Sequence, residues 1–344
     1  MTETIQVGLV GYGFASQVFH APLIQATPGL TLAAVASSDA AKVIEALPGV
    51  AVEADPEALF ARPEIDLVVI PTPNETHYPL ARAALEAGKH VVVDKPFTLD
   101  LAEARALEAL AEAQGKGLSV FHNRRWDSDF LTLAALLAEE SLGRVTRVES
   151  RFDRFRPEVR DRWRESPRPG GGIWYDLGPH LLDQALMLFG RPRAILLDLA
   201  SRRDGARVDD EFAALLDYEG LSVELKAGTL VAEETPRWRV HGTRGSYVKF
   251  GLDPQEARLK AGDTPSDGWG QDAPGRLCLA TEAGEPVSRE HPSLPGDYLA
   301  YYRGVAAALR GESPMPVSVE EAAAVMALLE AGLTSHRQRR WISL

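Results

Sequence analysis

The sequence predicts an α/β fold: an N-terminal doubly wound parallel sheet, then an α+β domain with an open, mostly antiparallel sheet. Three observations carry this. Short, wholly apolar runs alternate with helical patterns through the first third of the chain. A glycine-rich turn joins the first run to a helix, and near residue 123 the rhythm changes to consecutive strands joined by turns. Strands that are apolar throughout are covered on both faces, and the intervening helices supply the cover.

The elements follow in order. Ile5–Val10 reads as a buried strand, and Gly11-Tyr12-Gly13 turns the chain into a helix over Ala15–Ala26. Leu30–Ala36 reads as a second strand and Ala40–Leu47 as a helix stopped by Pro48-Gly49. A strand at Ile65–Ile70 leads to a helix over Thr76–Ala87, closed by Gly88 in the left-handed position that ends many helices. His90–Val93, Leu101–Gln114 and Leu118–Phe121 complete the alternation. Beyond it, strands are expected at Arg147–Phe155, Ala194–Ala200, Phe212–Tyr218, Ser222–Thr229, Trp238–His241 and Tyr247–Phe250. Helices are expected at Gly178–Phe189, Asp297–Leu309 and Ser318–Arg337, and Asp253–Pro295 reads as loops with one edge hairpin. The expected division is residues 1–122 for dinucleotide binding and 123–344 for substrate binding and oligomerisation.

A chain of 344 residues with 45% hydrophobic residues has material for two cores. No apolar run approaches the ~20 residues of a membrane span. The acidic start Met1-Thr2-Glu3-Thr4 leads directly into a strand, so no signal peptide is expected and the expected location is cytoplasmic. A single cysteine, Cys278, excludes an internal disulfide and a cysteine zinc site. A net charge of −12 repels nucleic acid. Arg151–Arg168 holds seven arginines, but Asp, Glu, Pro and Trp among them suggest a pocket-lining or ion-paired segment. Neither a nucleic-acid nor a membrane partner is expected.

Chemistry begins at the first turn. Gly11 permits a tight turn and Gly13 a close approach of backbone to a pyrophosphate resting on a helix N-terminus. Ser16 replaces the usual third glycine, with the small Ala15 beside it. The same pattern also fits a plain glycine-rich strand–helix turn. Its place in the first βαβ unit favours dinucleotide binding through Gly11, Tyr12, Gly13, Phe14 and Ala15. The second strand ends in Ala36-Ser37-Ser38-Asp39, where a cofactor ribose would lie. The hydroxyls of Ser37 and Ser38 with Lys42 suit a 2′-phosphate, so NADP is expected over NAD. Asp39 either accepts from a 2′-hydroxyl or caps the next helix.

Two constellations point to oxygen and proton chemistry. Asp94-Lys95-Pro96 ends a buried strand at the sheet edge where such folds bind ligands. A lysine there can stabilise alkoxide character on a substrate oxygen, or it is a surface lysine following a strand. Gly170-Gly171-Gly172 suggests close backbone approach to a ligand or a mobile entry loop. It is followed by Asp176 and, four residues on, His180. In a continuous helix the pair shares a face; if Gly178-Pro179 starts the helix instead, Asp176 lies just outside its first turn. Either way the carboxylate can orient the imidazole for proton transfer, or else simply cap the helix. With Asp183 the pair approaches metal-ligand spacing, but no second histidine is near, and no metal is expected.

These segments together resemble the Gfo/Idh/MocA family of glucose–fructose oxidoreductase and inositol dehydrogenase relatives. The likeness covers nearly the whole chain. It rests on Gly11-Tyr12-Gly13, Pro73-Asn74-Glu75-Thr76-His77, Gly88 to Pro96, and Gly171 to His180. Phe19-His20-Ala21-Pro22, Phe152-Asp153-Arg154-Phe155-Arg156-Pro157 and Arg162-Trp163-Arg164-Glu165 bring it nearest the branch of NADP-linked scyllo-inositol dehydrogenases. The resemblance implies an NAD(P)-dependent oxidoreductase acting on a sugar or cyclitol, with Lys95, Asp176 and His180 as catalytic residues. It places Thr72, Asn74, His77, Asp94 and Lys95 near the cofactor, and Trp163 and Arg164 at its nicotinamide end. Asp94 departs from the family's usual glutamate, which leaves the carboxylate on a shorter arm. Asn123, Arg124, Trp163 and Tyr298 are expected pocket walls beside Lys95, Asp176 and His180. The resemblance further implies a homodimer or homotetramer assembled through the second sheet. A dinucleotide-binding sensor of the same fold is the alternative, against which the retention of Lys95, Asp176 and His180 argues.

Overall fold

A computed structural model describes residues 4–344; the acidic start at residues 1–3 lies outside them. The chain forms two compact units, each assembled from separated segments. The first comprises the segment ending at Asn123 together with Gln255–Trp269 and Asp297–Met326. The second comprises Arg124–Pro254, Gly270–Gly296 and Ala327–Leu344. Two stretches beyond residue 123 therefore belong with the nucleotide-type sheet, because contacts and not chain order decide compactness.

The first unit is built on six parallel strands: β1 (Ile5–Val10), β2 (Leu30–Ala36), β3 (Ala51–Glu53), β4 (Leu67–Ile70), β5 (His90–Val93) and β6 (Leu118–Val120). Their order is β3-β2-β1-β4-β5-β6, which places the topological switch point between β1 and β4. All four residues of β4 are buried, as a two-sided sheet demands. Helices α1 (Ala21–Ala26), α2 (Ala40–Ala46), α3 (Pro56–Phe60), α4 (His77–Glu86) and α5 (Leu101–Gln114) lie between strands. Asp39, Asp55 and Asp100 cap α2, α3 and α5 by accepting from backbone amides at 3.1, 2.7 and 2.8 Å. The first helix departs from the expected Ala15–Ala26: Ser16–His20 is a π-helical turn feeding α1.

The second unit holds α6 (Ser128–Ala138), β7 (Val145–Arg151), α7 (Ile173–Phe189) and β8 (Ala194–Ala200). There follow β9 (Glu211–Tyr218), β10 (Leu221–Gly228), β11 (Trp238–Gly242) and β12 (Gly245–Lys249). The nine-stranded sheet has the order β14-β13-β12-β11-β7-β10-β9-β8-β15, where β13 is Gly275–Ala280, β14 Pro286–His291 and β15 Ile342–Ser343. It is antiparallel except for β7 with β10. The expected edge hairpin is β13–β14, but Asp253–Pro295 also holds a helix, α8 (Gln255–Lys260). Helices α9 (Leu299–Leu309) and α10 (Val319–Gln338) follow. α6 escapes a periodicity reading because Leu131–Ala138 is apolar on most of its faces.

The main correction concerns α7, which begins at Ile173 and not at Gly178 or Pro179. Gly178 packs so closely that an added Cβ would lie 2.9 Å from the Trp174 ring. The glycine also relieves the clash that a residue before proline normally suffers in a helix. Asp176 and His180 therefore lie one turn apart in a continuous helix.

Candidate active site

At the carboxyl ends of β1, β2 and β4, a cleft of about 510 Å³ opens in the first unit. Gly11, Tyr12, Gly13, Ser37, Ser38, Lys42 and Thr72 line it, bringing together seven of the fifteen residues expected to hold a cofactor; Asn74, His77, Asp94, Lys95, Trp163 and Arg164 do not line it. Gly11 adopts φ +81°, a left-handed conformation that favours glycine. A Cβ on Gly13 would meet nothing within 4 Å, so the backbone faces open space where a pyrophosphate could rest. Ser16, in place of the third glycine, is buried and donates from its hydroxyl to the Gly11 carbonyl at 2.8 Å. It ties the turn instead of merely fitting beside it, a role that smallness alone does not reveal. Phe14 is largely exposed, with the Lys260 ammonium 5.5 Å from its ring centre. Ala15 is half-buried and does not line the cleft.

Asp39 accepts from the Lys42 amide and caps α2, while its own amide donates to the Ser37 hydroxyl at 3.1 Å. Of the two readings the sequence left open for Asp39, capping is thus satisfied. The Lys42 side chain is exposed on the cleft wall beside Ser37 and Ser38.

Asp94-Lys95-Pro96 follows β5 directly, with a cis peptide between Lys95 and Pro96. The Lys95 amide donates to Asp94 Oδ1 at 2.7 Å. The other carboxylate oxygen lies 3.9 Å from His20 Nε2, an electrostatic and not a hydrogen-bonded distance. His20 is fully buried, its Nδ1 2.6 Å from the Tyr302 hydroxyl and its ring 4.4 Å from that of Phe121. Burial alone would raise the Asp94 carboxyl; His20, with Lys95 and His77, outweighs it and holds the group down to about 2. Asp94 is thus an anion at any working pH, fixed by the Lys95 amide. Sequence spacing gave no sign of the His20–Tyr302 support, although His20 lies in a segment that carried the family resemblance.

His77 is buried, and burial pushes its imidazole below the ordinary value. Its ring nitrogens lie 2.8 Å from the Pro96 carbonyl and 2.9 Å from the Thr72 carbonyl. The ring therefore braces the Lys95 turn against the Thr72 turn. Asn74 is also buried, at the start of the short Asn74–Thr76 turn. Tyr298 is wholly buried against Phe19, with ring centres 6.4 Å apart, and Asn123 is buried at the end of the first unit's opening segment.

In the second unit, α7 presents His180, Asp183 and Gln184, all buried, on one face. Asp183 takes a bidentate contact from Arg125, with atoms 2.7 and 2.9 Å apart. Gln184 accepts from Arg237 at 2.5 Å and donates to the Arg124 carbonyl at 2.8 Å. Arg237 is itself paired with buried Asp129 at 2.8 Å and lies 4.1 Å from the Phe152 ring centre. Arg124 stacks 5.2 Å from the same ring, and His180 meets it edge-on at 6.4 Å. A buried scaffold of charges, costly to break, thus fixes the turn that carries His180. Asp176 pairs with Arg164 at 3.4 Å, and Arg164 covers the Trp163 ring at 4.4 Å. Among the described residues no group of three or more His, Cys, Asp or Glu side chains could hold a metal ion, and no helix is long and apolar enough to cross a membrane.

At the triple glycine the protein itself makes a close approach. Gly172, at φ +93°, is so close to Asp209 that a Cβ would collide with its carboxylate. Asp209 in turn accepts from the Trp174 amide at 2.7 Å and caps α7. The close approach is to the protein itself.

This geometry agrees with comparisons to known proteins. Residues 5–122 match the oxidoreductase family's NAD-binding Rossmann fold, and residues 134–344 its C-terminal alpha/beta domain. The chain belongs to the Gfo/Idh/MocA oxidoreductase family. Its members are NAD(P)-dependent dehydrogenases. The chain is 55% identical to the uncharacterized oxidoreductase YdgJ of Escherichia coli, over the full length of both. It is 38% identical to the NADP(+) scyllo-inositol 2-dehydrogenase IolW of Bacillus subtilis, covering 99% of this chain and 96% of that one. The structure of the YPO2259 oxidoreductase from Yersinia pestis superposes with a TM-score of 0.96 at 55% identity, covering 100% and 98% of the two chains.

Proposed function

We propose that this oxidoreductase transfers hydride between NADP, in preference to NAD, and a CH–OH/C=O carbon of a sugar or cyclitol. The observation that carries the reading is the pairing, in one unit, of the open cleft over Gly13 with Lys95 at the end of β5. Ser37, Ser38 and the exposed Lys42 support the preference for a 2′-phosphate, as Asp39 is engaged in capping. The names of IolW and of a Haloferax volcanii D-xylose 1-dehydrogenase (NADP(+)), 30% identical over 73% of this chain, point to the same chemistry.

Bound nicotinamide supplies the hydride acceptor in oxidation and the donor in reduction. Lys95 donates a charged hydrogen bond to the substrate oxygen and stabilises its alkoxide character. His180 takes the hydroxyl proton as the alcohol becomes a carbonyl and returns it in the reverse direction. Asp176, one turn earlier, favours the protonated ring electrostatically. Assembly into a homodimer or homotetramer through the nine-stranded sheet belongs to the same proposal. It is supported by the small and apolar Ala213 and Leu215 on the half-buried face of β9.

Inositols and aldoses would be screened with NADP and NAD by absorbance of the reduced nicotinamide. The reading expects turnover with NADP, reduced by ~10²- to 10³-fold in Lys95→Ala. His180→Gln should remove the pH dependence of the proton-transfer step. Lys95→Ala turning over as fast as the wild type would contradict it.

A further inference from the structure

The arginine-rich segment has a use that hydride transfer does not require. After β7 the chain stays extended: the Arg154 and Arg156 amides donate to the Gly228 and Thr229 carbonyls at 2.9 and 2.7 Å. Residues two apart in extended chain share a side. Arg154 and Arg156 accordingly line one cavity, of about 50 Å³, while Phe155 between them is exposed. The Trp163–Glu165 turn and the N-terminal turn of α7 close the cavity, adding Arg162 and Arg164; Arg203 completes its arginines. All belong to the second unit.

The cavity's acids are engaged. Arg203 pairs with Asp210 and Glu165, each at 3.0 Å. Arg162 pairs with Glu165 at 2.6 Å and Arg164 with Asp176 at 3.4 Å. Asp209 is spent on the start of α7. Arg156 differs: among the described residues no carboxylate lies within ion-pair distance of it, although its side chain is half-buried. Burial first, then Arg154, Arg162 and Arg160, push its guanidinium below the ordinary value, and Asp176 offsets this only in part. Gathering like charges around a partly desolvated guanidinium costs free energy that an anion would recover. Nor does overall composition explain it, in a chain of net charge −12.

We propose that Arg156, with Arg154, Arg162 and Arg164 around it, forms a subsite for an oxyanion group carried by the substrate. The preferred substrate is then an acidic sugar or cyclitol derivative, a phosphate ester or a carboxylate, over its neutral parent. The planar fork of arginine suits both groups, and the cavity has room for a group of a few atoms. The assignment of the anion to a substrate rests on the oxidoreductase reading above; the anion site itself does not.

The first test needs no turnover. Inorganic phosphate is titrated calorimetrically, at constant ionic strength, into wild type, Arg156→Gln and Arg156→Lys, with circular dichroism confirming that each is folded. Saturable binding should weaken about tenfold to a hundredfold in Arg156→Gln and be partly restored by lysine. Absence of saturable binding to the wild type, or equal binding to Arg156→Gln, overturns the subsite. NADPH titrated into the same proteins separates the sources of the anion. Equal affinity leaves the group to the substrate, whereas weakening by the factor seen for phosphate assigns it to the nucleotide and overturns the substrate class. Finally, inositol monophosphate and a uronic acid are compared with their neutral parents. The kcat/KM ratio of acidic to neutral substrate should exceed one and collapse in Arg156→Gln, and the acid with the larger ratio names the group. A ratio below one overturns the substrate class. Phosphate binding without turnover of any substrate supports the subsite and counts against the oxidoreductase reading instead.

Discussion

Gly11–Gly13 and Gly170–Gly172 look alike in sequence and differ in what approaches them. Above Gly13 there is open cleft; against Gly172 there is the Asp209 carboxylate, already spent on the amide of Trp174. A glycine run announces a close approach but does not say by what. In the first unit the space above the loop stays open. In the second the approach locks a loop to the start of the helix that carries Asp176 and His180.

The sharpest way to break this comparison is to place the same side chain in both loops. Gly172→Ala combines a collision with Asp209 and a left-handed backbone, and should cost ~3 kcal/mol in denaturant unfolding. Gly13→Ala, with space around it and no such backbone, should change stability by less than ~1 kcal/mol. Equal costs would dissolve the distinction.

A smaller effect is expected from the carboxylate beside Lys95. The Asp94 carboxyl is held below its unfolded value, so its stabilisation is complete above pH ~4 and lost as pH falls through about 2. Its side chain is only 14% exposed, and the depression corresponds to ~2 kcal/mol. Asp94→Asn should therefore be less stable than wild type by about that amount at pH 6, with the difference shrinking towards pH 2. A difference independent of pH would remove the charge from the explanation. Smallest of all, Asp39→Ala should cost ~1 kcal/mol as a lost helix cap. NADH and NADPH affinities should stay near wild type; weakened NADH alone would show that Asp39 serves a ribose.

The parallel sheet was legible because buried strands such as Leu67–Ile70 and His90–Val93 are apolar throughout and end at marked turns. The cleft was legible for the same reason, as Gly11, Ser37 and Thr72 follow strand ends whose places the sheet order dictates. Support from distant chain was not. His20 reaches Asp94 and Tyr302 only through folding, and no local period pairs them. The start of α7 was misplaced because Gly178-Pro179 is a break signal in isolation, overridden here by the packing of Trp174 and the cap from Asp209. Composition marks the arginine segment as pocket-lining or ion-paired, but which arginine is left without a carboxylate depends on where Glu165, Asp176 and Asp210 fall.

An equilibrium titration of NADPH into wild type and Gly13→Val tests whether the Gly11–Gly13 loop cradles a nicotinamide dinucleotide. Saturable binding to the wild type is expected, at least tenfold weaker in a variant that stays folded, because the added branches fill the space above the loop. Equal binding to both proteins, or none to the wild type, would contradict it.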